Sequence, residues 1–345
     1  MAAAAQPATA QTRPGQPRVS WRVDAVTMLL GTWLLVGLVV DGWAHNNLQA
    51  LETFFTPWHA VFYSGFVATA GWVLATATRA RQPEPSGLAA FPAGYGLAVV
   101  GVVIFAVGGA GDLAWHSIIG IEQDVEALFS PTHLLLFAGM ALILSTPLRA
   151  AWSDPAQPAA PGYRRLLPVL ASTALVTVLV AFAFMYWAAF IQTIGASSYD
   201  PHLLDGVASV LATNLILLAS LLLLARRWRL PFGTATTIYA GVGVLMGAVD
   251  AYRLPAMVVA AVLAGLAVDG LLRLLQPLAG PRRFWAAGAL VPLTTWSVYF
   301  AAVTVTAGIG WSAELWTGTI AWTCLLGLAL SLLMLPPPVP KTPPR

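Results

Sequence analysis

The chain has 345 residues, of which 58% are hydrophobic and only 9% charged, with 17 Lys or Arg, 14 Asp or Glu and a formal net charge of +3. A soluble domain carries about one quarter charged residues, so this composition excludes an ordinary soluble globule and indicates an all-α, polytopic transmembrane bundle. A single cysteine, Cys324, excludes an intrachain disulfide and a thiolate metal cluster. No nucleotide-binding loop and no basic nucleic-acid patch is present.

Residues 1–22 are rich in Ala, Pro, Gln and Arg without an apolar core, and read as a disordered tail rather than a cleaved signal peptide. A helix needs about 20 apolar residues to cross the bilayer core. Ten such runs follow, at 25–43, 57–78, 92–114, 131–148, 166–192, 204–225, 233–250, 254–275, 284–308 and 313–335. The seventh and eighth are divided only by "DAYRLP". The expected organisation is a metal-site half built from two hairpins (23–148), a linker (149–165), a six-helix membrane half (166–335) and a Pro-rich tail (336–345).

Cationic residues orient a membrane protein. With ten spans, 16 of the 17 Lys and Arg fall on one side, Arg253 being the exception. Both termini are therefore expected in the cytoplasm. The outer side collects Asp41, Glu52, Asp112, Glu122, Asp124, Glu126, Asp200, Asp205, Asp250 and Glu314, together with all five histidines, His45, His59, His116, His133 and His202. The positive-inside bias accounts for the missing arginines there but not for the histidines.

Two stretches repeat one pattern. "ETFFTPWHAVFYSG" (52–65) and "EALFSPTHLLLFAG" (126–139) both fit E-x2-F-[ST]-P-x-H-x3-[FY]-x-G. Each follows an Asp-x3-His at the end of the preceding run, Asp41/His45 in "DGWAH" and Asp112/His116 in "DLAWH". Seven positions are identical between the copies, and the second loop is three residues longer. The expectation is a tandem, parallel repeat of helices 1–2 and 3–4, related by a pseudo-twofold along the membrane normal. Residues i and i+4 share a helix face, so each Asp projects with its His. Thr56-Pro57 and Ser130-Pro131 are helix-start signals that place His59 and His133 in a first turn, back at the outer surface. Gly65 and Gly139 permit close helix contact.

Capping accounts for Thr56, Ser130 and the prolines, and interfacial placement suits a lone histidine. A duplicated set of Asp, His, Glu and His is not explained that way, because ionisable groups at membrane depth are costly and mark functional sites. The candidate metal ligands are Asp41, His45, His59, Asp112, His116 and His133, with Glu52 and Glu126 as catalytic bases, bridges or supporting groups. Imidazole with carboxylate suits copper(II), iron or zinc. The two triads can form two mononuclear sites or one dinuclear site.

The spacing Asp41-x3-His45-x13-His59 resembles the D-x3-H-x12-H copper triad in the membrane C subunit of the particulate methane and ammonia monooxygenases; Asp112-x3-His116-x16-His133 matches it more loosely. The likeness covers this local pattern alone, and implies that such a triad at a helix end can hold copper. The Ala richness and the 16 Arg to one Lys resemble polytopic inner-membrane proteins of high-GC bacteria.

The sequence thus points to a metal-dependent membrane oxidoreductase acting on a small apolar or lipid substrate from the outer side. The competing readings are a metal or proton-coupled transporter using the cluster as its entry, a bis-histidine haem protein, and a structural subunit. Transport needs a polar path onward, and runs 1–4 below the cluster are almost wholly apolar. Elsewhere, "SSYDPHLLDG" (Asp200, His202, Asp205) reads as a capped turn, Asp250 and Arg253 as a surface pair, Asp269 as facing the bundle, and "FMYWAAF" (184–190) as an interfacial aromatic belt.

Overall fold

The computed structural model describes residues 16–48, 54–84, 86–120, 124–196 and 203–335. Among these every regular element is helical. Among the described residues, eight helices are long and apolar enough to cross a membrane. They are α1 (Trp21–Asn47), α2 (Pro57–Arg79), α3 (Tyr95–Ile118), α7 (Tyr163–Ala183), α8 (Leu203–Arg227), α10 (Pro255–Leu274), α11 (Gly280–Thr306) and α12 (Ala313–Met334). The expected fourth span is a bent pair, α5 (Pro131–Leu144) and α6 (Thr146–Trp152), inclined by 44°. The expected seventh is α9 (Thr234–Val249), apolar but only 16 residues long. At about 1.5 Å per residue it falls short of a 30 Å core. The short α4 (Asp124–Phe129) leads into α5.

The bend has a local cause. Pro147 stands in the first turn of α6 and cannot donate to the preceding turn. The Arg149 guanidinium fills the break, donating to the carbonyls of Leu142 (2.7 Å) and Gly94 (3.0 Å) and to the Ser145 hydroxyl.

The chain forms two compact units, 1–179 and 180–345, divided near the end of α7. In the first unit α1 pairs with α2 and α3 with α5, and α2 packs on α3. The two hairpins make the same backbone approaches. A Cβ on Gly65 would lie 2.8 Å from Cα of Leu34, seven residues before Asp41, and one on Gly139 would lie 2.7 Å from N of Phe105, seven before Asp112. Gly37, four before Asp41, meets Phe62, three after His59; Gly108, four before Asp112, meets Leu136, three after His133. Helices that touch backbone to backbone fix the axial level of the residues above them.

In the second unit α9 pairs with α10, α10 with α11 and α11 with α12, while α8 packs on α11 and α12. The expected fifth run stops being α-helical at Ala183 and continues as 3-10 turns, Met185–Trp187 and Ala189–Ile191. Non-helical backbone at membrane depth must find partners within the protein. Here the Thr213 hydroxyl accepts from Ala189 N (3.0 Å), and the Tyr299 hydroxyl accepts from Ile194 N (3.0 Å) while donating to Gln192 O (2.7 Å). Of the aromatic stretch, Phe190 is buried, whereas Phe184, Tyr186 and Trp187 are exposed. Asp269, also buried, accepts from the backbone N–H groups of Ala235 (3.0 Å) and Thr236 (2.9 Å). It thereby caps α9, whose N-cap residue is Gly233 and offers no side chain.

Candidate metal centre

The cluster is assembled by four helix ends of the first unit. Asp41 and His45 occupy the last two turns of α1, and Asp112 and His116 the last two turns of α3. Thr56 accepts from His59 N (3.1 Å) and Ser130 from His133 N (3.4 Å), so the two hydroxyls start α2 and α5 and put each histidine in a first turn. The outcome is one continuous cluster. The imidazole rings form a chain, His45–His59–His116–His133, with centroid separations of 6.0, 6.1 and 5.8 Å.

The carboxylates sit between them. Asp112 Oδ1 lies 3.2 Å from His116 Nε2 and 3.0 Å from His133 Nε2. Asp41 Oδ2 lies 3.6 Å from His59 Nε2 and 3.9 Å from His45 Nε2, beyond hydrogen-bond range. Asp112 is 1% exposed and Asp41 8%, and His59 and His116 are also buried. Two overlapping sets, Asp41/His45/His59 and His59/Asp112/His116, have donor atoms within 4.8 Å of one another, a grouping that can hold a metal ion.

The outward-turned nitrogens decide what the inward ones can do. His116 Nδ1 lies 3.3 Å from the Gly120 carbonyl, and His133 Nδ1 is bonded to the Ala127 carbonyl. A carbonyl oxygen only accepts, so in both rings the proton sits on Nδ1 and the neutral ring presents a bare lone pair at Nε2. Both Nε2 atoms lie within 3.2 Å of Asp112 Oδ1. With that tautomer three acceptors meet at one buried point, an arrangement that can hold a cation. In His59, Nδ1 faces its own cap, Thr56 Oγ1, at 3.1 Å, again leaving Nε2 inward. A carbonyl or carboxylate behind a ligating imidazole is the usual device that fixes its tautomer at a metal.

Asp112 Oδ2 is occupied separately by the Tyr63 hydroxyl, which donates at 2.9 Å. Among the described residues nothing comparable reaches Asp41, whose Oδ1 is buried with no hydrogen-bond partner. Tyr63 was not among the expected site residues. Its signal lay in the one aromatic position of the motif where the copies differ, Tyr63 against Phe137. Phe54 is the other addition, stacked on His59 with centroids 4.9 Å apart. Beneath the cluster Phe66 stacks on Phe105 at 4.0 Å, and Phe62 packs edge-on against Phe105.

Glu126 is exposed on α4, one residue before Ala127. Glu52, Asp200 and His202 lie outside the described residues. Asp250 pairs with Arg253 at 3.0 Å on the surface, as the sequence suggested. Comparison of the chain with protein-family models, with curated proteins and with solved structures finds no match in any of the three.

Proposed function

We propose that the protein is a metal-dependent membrane oxidoreductase whose ion is held by Asp41, His45, His59, Asp112, His116 and His133. The observation that carries the reading is the pair of Nδ1···O=C contacts at His116 and His133, which leaves Nε2 of both rings within 3.2 Å of one buried carboxylate oxygen. Protons or a metal ion can occupy that point. Two imidazolium ions beside a single carboxylate and a divalent ion held by two neutral imidazoles and that carboxylate carry the same net charge, so what favours the metal ion is that it uses all three donors.

The donor set narrows the ion. Imidazole and carboxylate without thiolate or thioether favour copper(II), iron or zinc over copper(I), and the local likeness to a D-x3-H-x12-H triad puts copper first. Bound copper or iron would supply redox chemistry, and zinc a polarised water. The chain's own residues do the rest. Their placement at helix ends on the expected outer side opens the site towards small apolar or lipid substrates. Glu126, exposed on α4, and Glu52, the equivalent position in the first copy of the motif, are the candidates for proton transfer.

The transport reading is disfavoured by what lies beneath. Leu38, Phe62 and Phe105 are buried below the cluster, and Phe66 stacks on Phe105 there, so the helices beneath it offer apolar side chains. The test is metal content, absorption and paramagnetic resonance of the detergent-purified protein against the His59→Ala/His133→Ala double variant. The proposal expects a stoichiometric transition metal that the double variant loses. A Soret band would replace it with haem; equal metal in both proteins would refute it.

A further inference from the structure

We propose that the cluster is a two-ion centre, one ion on Asp41, His45 and His59 and the second on Asp112, His116 and His133. This deepens the metal reading above and rests on it.

Three observations lead there. First, an ion bound at about 2.0–2.2 Å draws its donor atoms to within roughly 4.4 Å of one another. The donors that approach this spacing form two sets, and neither set includes both carboxylates. Second, the sets overlap only at His59, whose Nδ1 is turned to Thr56 Oγ1. Its single inward nitrogen, Nε2, can bind one ion, not two. Third, His133 removes the conflict. Its Nε2 lies 3.0 Å from Asp112 Oδ1; Asp112, His116 and His133 are not one of the sets already within 4.8 Å, so His116 and His133 close about the ion to complete a triad without His59, which is left to Asp41 and His45. Each ion then has two imidazoles and one carboxylate, an arrangement that leaves positions open for substrate or oxygen. The 6.1 Å between the His59 and His116 rings, one from each triad, places the ions as close neighbours.

The two positions are inequivalent. The Tyr63 hydroxyl occupies Asp112 Oδ2, which limits Asp112 to its Oδ1 towards the ion. Asp41 keeps both oxygens available and its histidines further away, at 3.6 and 3.9 Å. Both triads contract around their ions: the Asp41, His45 and His59 donors already lie within 4.8 Å of one another, and His133 closes on Asp112 and His116.

The experiment titrates the detergent-purified full-length protein with copper(II), removes loosely held ion by desalting, and measures copper per chain by mass spectrometry. The same samples give the spin count by paramagnetic resonance. The expected result is two copper ions per chain in two steps, falling to one in His45→Ala and to one in His116→Ala, each variant being checked for its folded, monodisperse state. In the one-copper variants the spin count equals the copper content, whereas the wild-type signal is broadened or diminished by the neighbouring ion. One copper per chain in the wild type, lost in both variants, overturns the two-ion centre and leaves the metal reading standing. No retained copper at all overturns both. A zinc(II) titration read by mass spectrometry repeats the stoichiometry where a variant misfolds with copper.

Discussion

Asp112→Asn separates a metal centre from a buried ion pair, because the two accounts give opposite signs in the metal-free protein. The substituted amide has nearly the shape of the carboxylate. With Oδ1 turned to the Tyr63 hydroxyl, which donates to Asp112 at 2.9 Å, its two amide N–H groups face His116 Nε2 and His133 Nε2, now at 3.2 and 3.0 Å from the aspartate. Two lone pairs that faced an acceptor then face donors. If a metal ion belongs at that point, the stability of the chelator-treated variant equals or exceeds that of the chelator-treated wild type. If the histidines are instead imidazolium partners of Asp112, removing the anion leaves buried positive charge uncompensated and costs about 3–5 kcal/mol under any condition. Metal makes the second half of the test. Ion at 100 times its Kd adds about 2.7 kcal/mol to the wild type, and the variant loses most of that increment. The assay is equilibrium unfolding in detergent with chelator and with added copper(II) or zinc(II). A variant destabilised by about 3–5 kcal/mol in chelator refutes the lone-pair argument.

Other expectations follow from single contacts. Tyr63→Phe keeps the ion but removes one hydrogen bond to a carboxylate, lowering stability by about 1.5–3 kcal/mol and shifting the copper resonance parameters; unchanged spectra would mean that the hydroxyl does not orient Asp112. Gly139→Leu drives a side chain into the Phe105 backbone, where even a Cβ would lie 2.7 Å from N, and costs about 1–3 kcal/mol. Gly71→Leu, where a Cβ meets nothing within 4 Å, serves as its neutral control in the same thermal assay. Asp269→Ala strips the cap from α9 and lowers unfolding free energy by about 3 kcal/mol without changing metal content, since it lies in the second unit.

Much of this was readable from residue order because the physics was local. Apolar runs of about 20 residues gave the helices. Asp-x3-His placed two groups on one helix face, and Thr-Pro and Ser-Pro set the helix starts that return His59 and His133 to the same level. What escaped depends on groups distant in sequence or on backbone atoms. Tyr63 reaches Asp112 across 49 residues. The carbonyls of Gly120 and Ala127, which fix the tautomers, have no sequence signature at all. The fifth run was apolar enough to read as one helix to residue 192, yet its end unwinds because Thr213 and Tyr299, from elsewhere in the unit, satisfy the freed backbone. The kink at Ser145 was written in Pro147 and Arg149, but a hydropathy reading passes over both.

The most direct measurement is X-ray absorption at the edge of whichever transition metal co-purifies with the protein. The account predicts first-shell nitrogen or oxygen scatterers at about 2.0–2.2 Å, with the outer-shell pattern of two imidazoles per ion that disappears in the His59→Ala/His133→Ala variant. A sulfur shell at about 2.3 Å, or a spectrum without imidazole features, would contradict it.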